Sequence, residues 1–337
     1  MQQKEIARQL GVSPAVVSMA LRGVGRVSPE LRTEILALAQ RNQVGLRKLR
    51  KRIDAVQAPV RRIAYCALQH ELVWPHIGTF SSLNEPLLGV SYEVSLVLAE
   101  LRDKSARAAL VADLVRKVAA MQLDGLVVGP HDDLAGQLTV LGLPLVQLEY
   151  KIASPARDLV VPDNFNGAYR LAGGLLAAGC RRIALVRCLC EDLNSIEKFA
   201  GFGAAFAQAG LAIDPALVVA GTCRYQEGER CAAALCAIPG PPPDAILLEN
   251  DWHAPELVQH LRQHLPAHWP RLSAIRFGMF CDSERSNSLT TPPDRVLLPR
   301  PAMGHLAVRR VLERIASPSD WKPMVVRVVP EYRPGGG

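Results

Sequence analysis

The sequence predicts a small all-α domain at its start, a basic connecting segment, and an α/β body built on parallel sheets. Charge is divided along the chain: residues 1–62 hold thirteen Lys and Arg against four Asp and Glu, a net +9, while the whole 337-residue chain carries +7. Everything beyond residue 62 therefore sums to −2. Helical periodicity with turn and cap residues fills the first 43 positions. From Arg62 onward, short apolar runs alternate with amphipathic helices, the pattern of βαβ units.

Three helices are predicted in the head, over Lys4–Leu10, Pro14–Arg22 and Pro29–Arg41. In "GVSPAVVSMALRG" (residues 11–23), Gly11 supplies the turn, Ser13 a cap and Pro14 the first helical position. Val17, Ala20 and Leu21 fall at the spacing of a buried stripe, so Ala15, Ser18, Met19 and Arg22 face outward. The third helix opens at "SPEL", with Ser28 as cap and Glu30 on the positive end of the dipole. Its Leu31, Ile35, Leu38 and Ala39 can cover the other two helices. The glycine turn between the first two helices is that of a helix-turn-helix. With the +9 charge, it predicts contact with DNA. The segment "NQVGLRKLRKRIDAVQAP" follows, with five cations between Arg47 and Arg52. If it becomes helical, Leu49 and Ile53 share a face.

In the body, "RIAYCAL", "YEVSLVLA", "LDGLVVG", "LPLVQLE", "DLVVPDN", "RRIALVRC", "AILLEND" and "SAIRFGMF" read as strands. Helices fit Ala108–Met121, Gly167–Ala178, Ile196–Ala209, Glu227–Ala237, Ala254–His264 and Ala302–Ile315. No Gly-x-Gly-x-x-Gly follows a strand, and no Ser-His-Asp or paired-carboxylate arrangement can be assigned, so neither a dinucleotide cofactor nor an enzyme is predicted. The eight cysteines are scattered through apolar stretches. Cys188 and Cys190, one residue apart, match neither a zinc site nor a redox Cys-x-x-Cys pair, so no metal is predicted. No apolar run reaches the roughly 18 residues of a membrane span, and the first residues lack the apolar core of a leader, which predicts a cytoplasmic protein.

The run "KEIARQLGVSPAVVSMALRGVGRVSPELRTEILALAQ" resembles the DNA-binding domain of the LacI family of bacterial transcription regulators. Its landmarks stand here as Ile6, Ala7, Gly11, Val12, Ser13, Val17, Ser18, Leu21, Val27, Ser28, Pro29 and Arg32. The resemblance implies that Pro14, Ala15 and Met19 occupy base-reading places. None of the three side chains carries a hydrogen-bond donor, and the family commonly has arginine where Met19 stands. Such side chains discriminate mainly through thymine methyls, while Ser13, Ser18 and Arg22 suit phosphate. The family's hinge helix wedges an apolar residue into the minor groove; alignment places that wedge at Ile53, with Leu49 one turn earlier.

Further along, "QLDGLVV", "VVPDNFNGAYRLAGGLLAAGCRRIALV", "EKFAGFGAAFAQAGL", "PPDAILLEND", "LTTPP" and "LPRPAMGHLAVRRVLERI" are similar to the same family's effector domain. That domain has the periplasmic-binding-protein fold, two α/β lobes around a cleft. The implied division is 1–45 for the head, 46–61 for the hinge, 62–162 with 297–319 for the first lobe, and 163–296 with 320–334 for the second. The chain then crosses between lobes near 162, 296 and 320. Carried over, the effector residues are Trp74, His76, Asp163, Lys198, Asp251 and Trp252. The family's ligand-gripping arginine is Lys198 here, and the aspartate usual after "GF" is missing from "RFGMF". The resemblance implies a homodimeric repressor on a pseudo-palindromic operator, controlled by a small polar, sugar-like effector. The missing aspartate keeps open a ligand-independent DNA-binding protein with a degenerate cleft.

Overall fold

The computed structural model describes residues 3–22, 27–28, 31–32, 34–35, 38, 60–69, 74–85, 87, 90–101, 103–149, 156–188, 193–221, 227–281, 289 and 292–335. In the head, α1 (Gln3–Gln9) and α2 (Pro14–Arg22) are joined through Gly11, whose φ of 61° is the left-handed conformation that favours glycine. Ser13 Oγ accepts the Val16 amide at 3.3 Å, and Ser28 Oγ accepts the Leu31 amide at 3.2 Å. Leu31, Arg32, Glu34, Ile35 and Leu38 are helical. Ile6, Ala7, Val17, Ala20 and Ile35 form the buried core of the head, with Leu10, Val12, Val16, Val27, Leu31 and Leu38 packed around it.

The body has two six-stranded sheets. In chain order its elements are β1 (Arg61–Gln69), α3 (Trp74–Leu83), β2 (Tyr92–Glu100), α4 (Arg107–Ala119), β3 (Gly125–Val128), α5 (Asp132–Leu138), β4 (Leu145–Leu148) and β5 (Asp158–Pro162). Then come α6 (Asn164–Ala177), β6 (Ile183–Cys188), α7 (Leu193–Gln208), β7 (Val218–Gly221), α8 (Gly228–Cys236), β8 (Ala245–Leu248), α9 (Ala254–His264) and β9 (Arg276–Cys281). The chain ends with β10 (Asp294–Leu297), α10 (Arg300–Ala316), β11 (Val325–Val328) and β12 (Glu331–Arg333). The first sheet runs β11-β5-β4-β3-β1-β2, all parallel; the second runs β12-β10-β9-β8-β6-β7, parallel except for β12. Strands β3, β4, β5 and β8 are buried at every residue, because helices cover both faces of a parallel sheet and such strands read as unbroken apolar runs.

The chain leaves the first sheet after Pro162, where Asp163 caps α6 by accepting the Asn166 amide at 3.2 Å. It returns between Leu297 and α10, which packs on β3, β4 and β5. The third passage differs from the expectation of a crossing near 320. Strand β11 is paired in parallel with β5 in the first sheet, so residues 320–328 belong to the first lobe and the chain crosses between Val328 and Glu331. The physical cause is Asp158, 1% exposed, which holds Trp321 Nε1 at 2.6 Å, the Met324 amide at 3.1 Å and Arg310 Nε at 3.0 Å. These bonds zip the tail to β5 before it leaves.

Candidate ligand-binding cleft

All three crossings lie at the carboxyl ends of strands: β5 into α6, β10 into α10, β11 into β12. The carboxyl ends of both sheets therefore border one crevice, the place where open α/β sheets bind ligands.

On the second lobe, β8 runs into Glu249, which is 2% exposed and organises the wall. One carboxylate oxygen accepts the Cys188 amide at 2.9 Å and lies 2.9 Å from Ser195 Oγ; the other accepts Arg187 Nε at 3.2 Å. Glu249 thus fastens the end of β6 and the first turns of α7 to the end of β8. Burial pushes its carboxyl above the ordinary range, against the opposing pull of Lys198, the Cys188 amide, Ser195 and Arg187. The Arg187 guanidinium lies 3.8 Å over the Phe199 ring.

Lys198, on α7, donates to the Glu249 carbonyl at 3.0 Å and sits 4.5 Å over the Phe280 ring. Phe280 is two residues beyond Gly278 in β9, the strand from which the family's aspartate is missing. The ammonium faces an aromatic ring and a carbonyl, and retains donors for an acceptor-rich ligand. Asp251 is fully buried and lies just before α9. Asp163 caps α6, and its second oxygen accepts Asn166 Nδ2 at 2.6 Å. Trp252 is half-buried, with its amide donating to Asn250 Oδ1 at 3.1 Å. Trp74 and His76 stand in the first turn of α3, with their side chains outside the described ones.

The first lobe contributes residues the sequence did not announce. Glu149 follows β4 at a φ of 57°, a left-handed conformation uncommon for a residue with a side chain. Its carboxylate meets Arg300 Nη1, from the first position of α10, at 2.9 Å. Both side chains are mostly buried, at 15% and 19% exposure. With Tyr65, Thr79, Pro130, Leu148 and Met303 they line a cavity of about 10 Å³, room for one water. Burial holds the Tyr65 phenol protonated well beyond its ordinary range, with Arg300 opposing. Partners 151 residues apart leave no local spacing to read.

In the head, Ser13, Pro14 and Ala15 are exposed, and Ser18 and Met19 are half-buried on α2. The Ser13 hydroxyl is engaged as a cap, while remaining at the surface. Arg22 ends α2, its side chain outside the described ones; Leu49 and Ile53 lie outside the described residues.

Comparison with known proteins agrees with this architecture. A sucrose operon repressor of Klebsiella pneumoniae is 26% identical over 306 residues, covering 87% of this chain and 86% of its own. A solved complex of the transcriptional regulator CelR with cellobiose superposes with a TM-score of 0.64 at 19% identity, over 99% of this chain and 98% of its own. A lac repressor dimer bound to operator and the anti-inducer ONPF gives 0.63 at 17% identity, over 98% and 96%. Residues 89–264 match the family of periplasmic binding proteins and the sugar binding domain of the LacI family, and the chain belongs to that family.

Proposed function

We propose that this protein is a DNA-binding transcriptional repressor whose hold on an operator is set by a small polar effector in the interlobe cleft. The observation that carries this reading is the pairing of architectures in one chain: a basic head with a helix-turn-helix core and a body whose two parallel sheets end at one crevice. The relatives support it, since one is named a sucrose operon repressor and another was solved on its operator as a dimer. The protein acts as a homodimer, its two heads on the halves of a pseudo-palindromic site and its hinges, through Ile53 or Leu49, in the central minor groove.

On the head, Ser13, Ser18 and Arg22 contact phosphate, while Pro14, Ala15 and Met19 lie against base edges as apolar surface. In the cleft, Lys198 takes an effector oxygen, and Trp252, with Trp74 and His76 on α3, forms candidate walls for a sugar ring. Asp163 caps the start of α6 at the edge of the cleft, and Asp251 lies buried just before α9. Since ligand shifts the lobes only by binding one arrangement better than the other, a compound that enters the cleft changes operator affinity by the ratio of its two affinities.

The test is selection of DNA fragments by the full chain, followed by thermal-shift screening against neutral sugars, sugar acids and sugar phosphates. Enrichment of one dyad-symmetric sequence with a midpoint shift for one compound class is expected. DNA binding with no enriched sequence, or enrichment with no compound raising the midpoint, contradicts the reading.

A further inference from the structure

An ion pair reaches from one lobe to the other: Arg327 Nη2 lies 2.7 Å from Glu197 Oε1. Arg327 projects from β11, which is fixed to the first lobe by its register with β5 and by the Asp158 bonds behind it. Glu197 sits on α7, which packs along α6 in the second lobe. Arg327 stands one residue before the passage between Val328 and Glu331, so the pair bridges the two lobes beside one of their connections, where a change of lobe angle alters the distance between guanidinium and carboxylate. The carboxylate is 17% exposed and the guanidinium 45%, placing the contact at the surface with one partner substantially shielded.

Position makes this contact more than a surface pair. Glu197 directly precedes Lys198, whose ammonium is held at the strand ends of the second lobe by the Glu249 carbonyl and the Phe280 ring. One turn of α7 thus carries both a cleft cation and the anion that meets the opposite lobe. We propose that Arg327 and Glu197 form an electrostatic latch that biases the lobes toward the arrangement of this structure and so sets the fraction of protein competent for whichever ligand prefers it. The latch weakens with salt, because its guanidinium faces water.

The size follows from its exposure. Partly exposed pairs contribute modestly, so the ratio of the two lobe arrangements changes about 2–5-fold when the pair is removed. Apparent ligand affinity then changes by up to the same factor, because affinity scales with the competent fraction. That second consequence rests on the cleft being an effector site; the effect on the lobes does not.

The experiment is single-molecule energy transfer on the full chain. Dyes are attached through orthogonal chemistry at Val140 in the first lobe and Gln208 in the second, both exposed. Arg327→Ala and Glu197→Ala are each expected to shift the population ratio about 2–5-fold in the same direction, with the double variant no further than either single. The reciprocal exchange Arg327→Glu with Glu197→Arg restores most of the original distribution, and 1 M NaCl moves the unaltered protein toward the single variants. Identical distributions in the unaltered protein and both single variants overturn the latch. So does additive behaviour in the double variant, or an exchange variant displaced as far as the singles. Operator binding measured on the same variants separates this outcome from failure of the repressor reading, because a chain that binds no operator at all still reports its lobe distances.

Discussion

Replacing Glu249 tests whether one buried carboxyl holds the second lobe's wall together. Glu249→Ala removes the acceptor for Arg187 Nε, the Cys188 amide and Ser195 Oγ at once. Arg187 is itself only 17% exposed, so the change leaves a mostly buried cation without its carboxylate. Breaking one side of a buried pair costs about 3–5 kcal/mol. Glu249→Gln keeps the shape and separates charge from packing. Because burial raises the folded-state pKa above the unfolded value, the folded protein holds the proton longer as pH rises. The stability contributed by the neutral carboxyl is therefore fully present below the unfolded pKa and lost as pH climbs through the folded one, at up to about 1.4 kcal/mol per pH unit. The Gln variant carries no such loss. Denaturant titrations from pH 4 to 8, followed by intrinsic tryptophan fluorescence, read both effects. The unaltered protein should lose ground to Glu249→Gln as pH rises from the ordinary carboxylate range. An Ala variant within about 1 kcal/mol of the original, or a Glu-to-Gln difference that moves in favour of Glu with rising pH, refutes the wall as described.

Three further outcomes are expected. Asp158→Ala should destabilise the first lobe by about 3–5 kcal/mol and speed hydrogen exchange in Val325–Val328, because it unfastens Trp321, Met324 and Arg310 from β5. Gly201→Ala should cost about 1–3 kcal/mol in thermal denaturation, since a Cβ there would run into the Phe165 carbonyl and approach Ala168 Cβ at 2.8 Å, forcing α6 and α7 apart. DNA binding by the full chain should weaken steeply with salt, as expected of a +9 head with apolar readers on α2, and a plot of log affinity against log salt with a slope near zero contradicts phosphate-dominated contact.

Local chemistry made much of this fold legible. Helices α2 and α9 have the bounds that their caps and periodicity predict, because proline at the first turn and a clean apolar stripe act within a few residues. The strands missed, β7, β10, β11 and β12, are three or four residues long. All four are paired at or beside a sheet edge through contacts distant in sequence. The misplaced third crossing is the same effect: nothing within "MVVRVV" reveals that Asp158 captures it. In the cleft, Lys198 was readable as a cation, but its carbonyl and Phe280 contacts were not. Asp251 and Glu249 illustrate the limit most clearly. Both acids stand in "LEND" and both are buried, and only packing makes Glu249 the organiser of the wall.

In the proposed function, occupancy of the cleft governs the head's hold on DNA. This is tested most directly by fluorescence anisotropy of the full chain on its selected operator, titrated with the compound that raises its melting temperature, for the unaltered protein and for Lys198→Ala. The compound should change operator affinity in the unaltered protein. Losing a charge-assisted bond worth about 1.5–3 kcal/mol should move the midpoint of that response in the Lys198→Ala variant by about one to two orders of magnitude, with operator affinity before addition unchanged. A compound that binds the protein and leaves operator affinity untouched, or a response identical in both proteins, would contradict it.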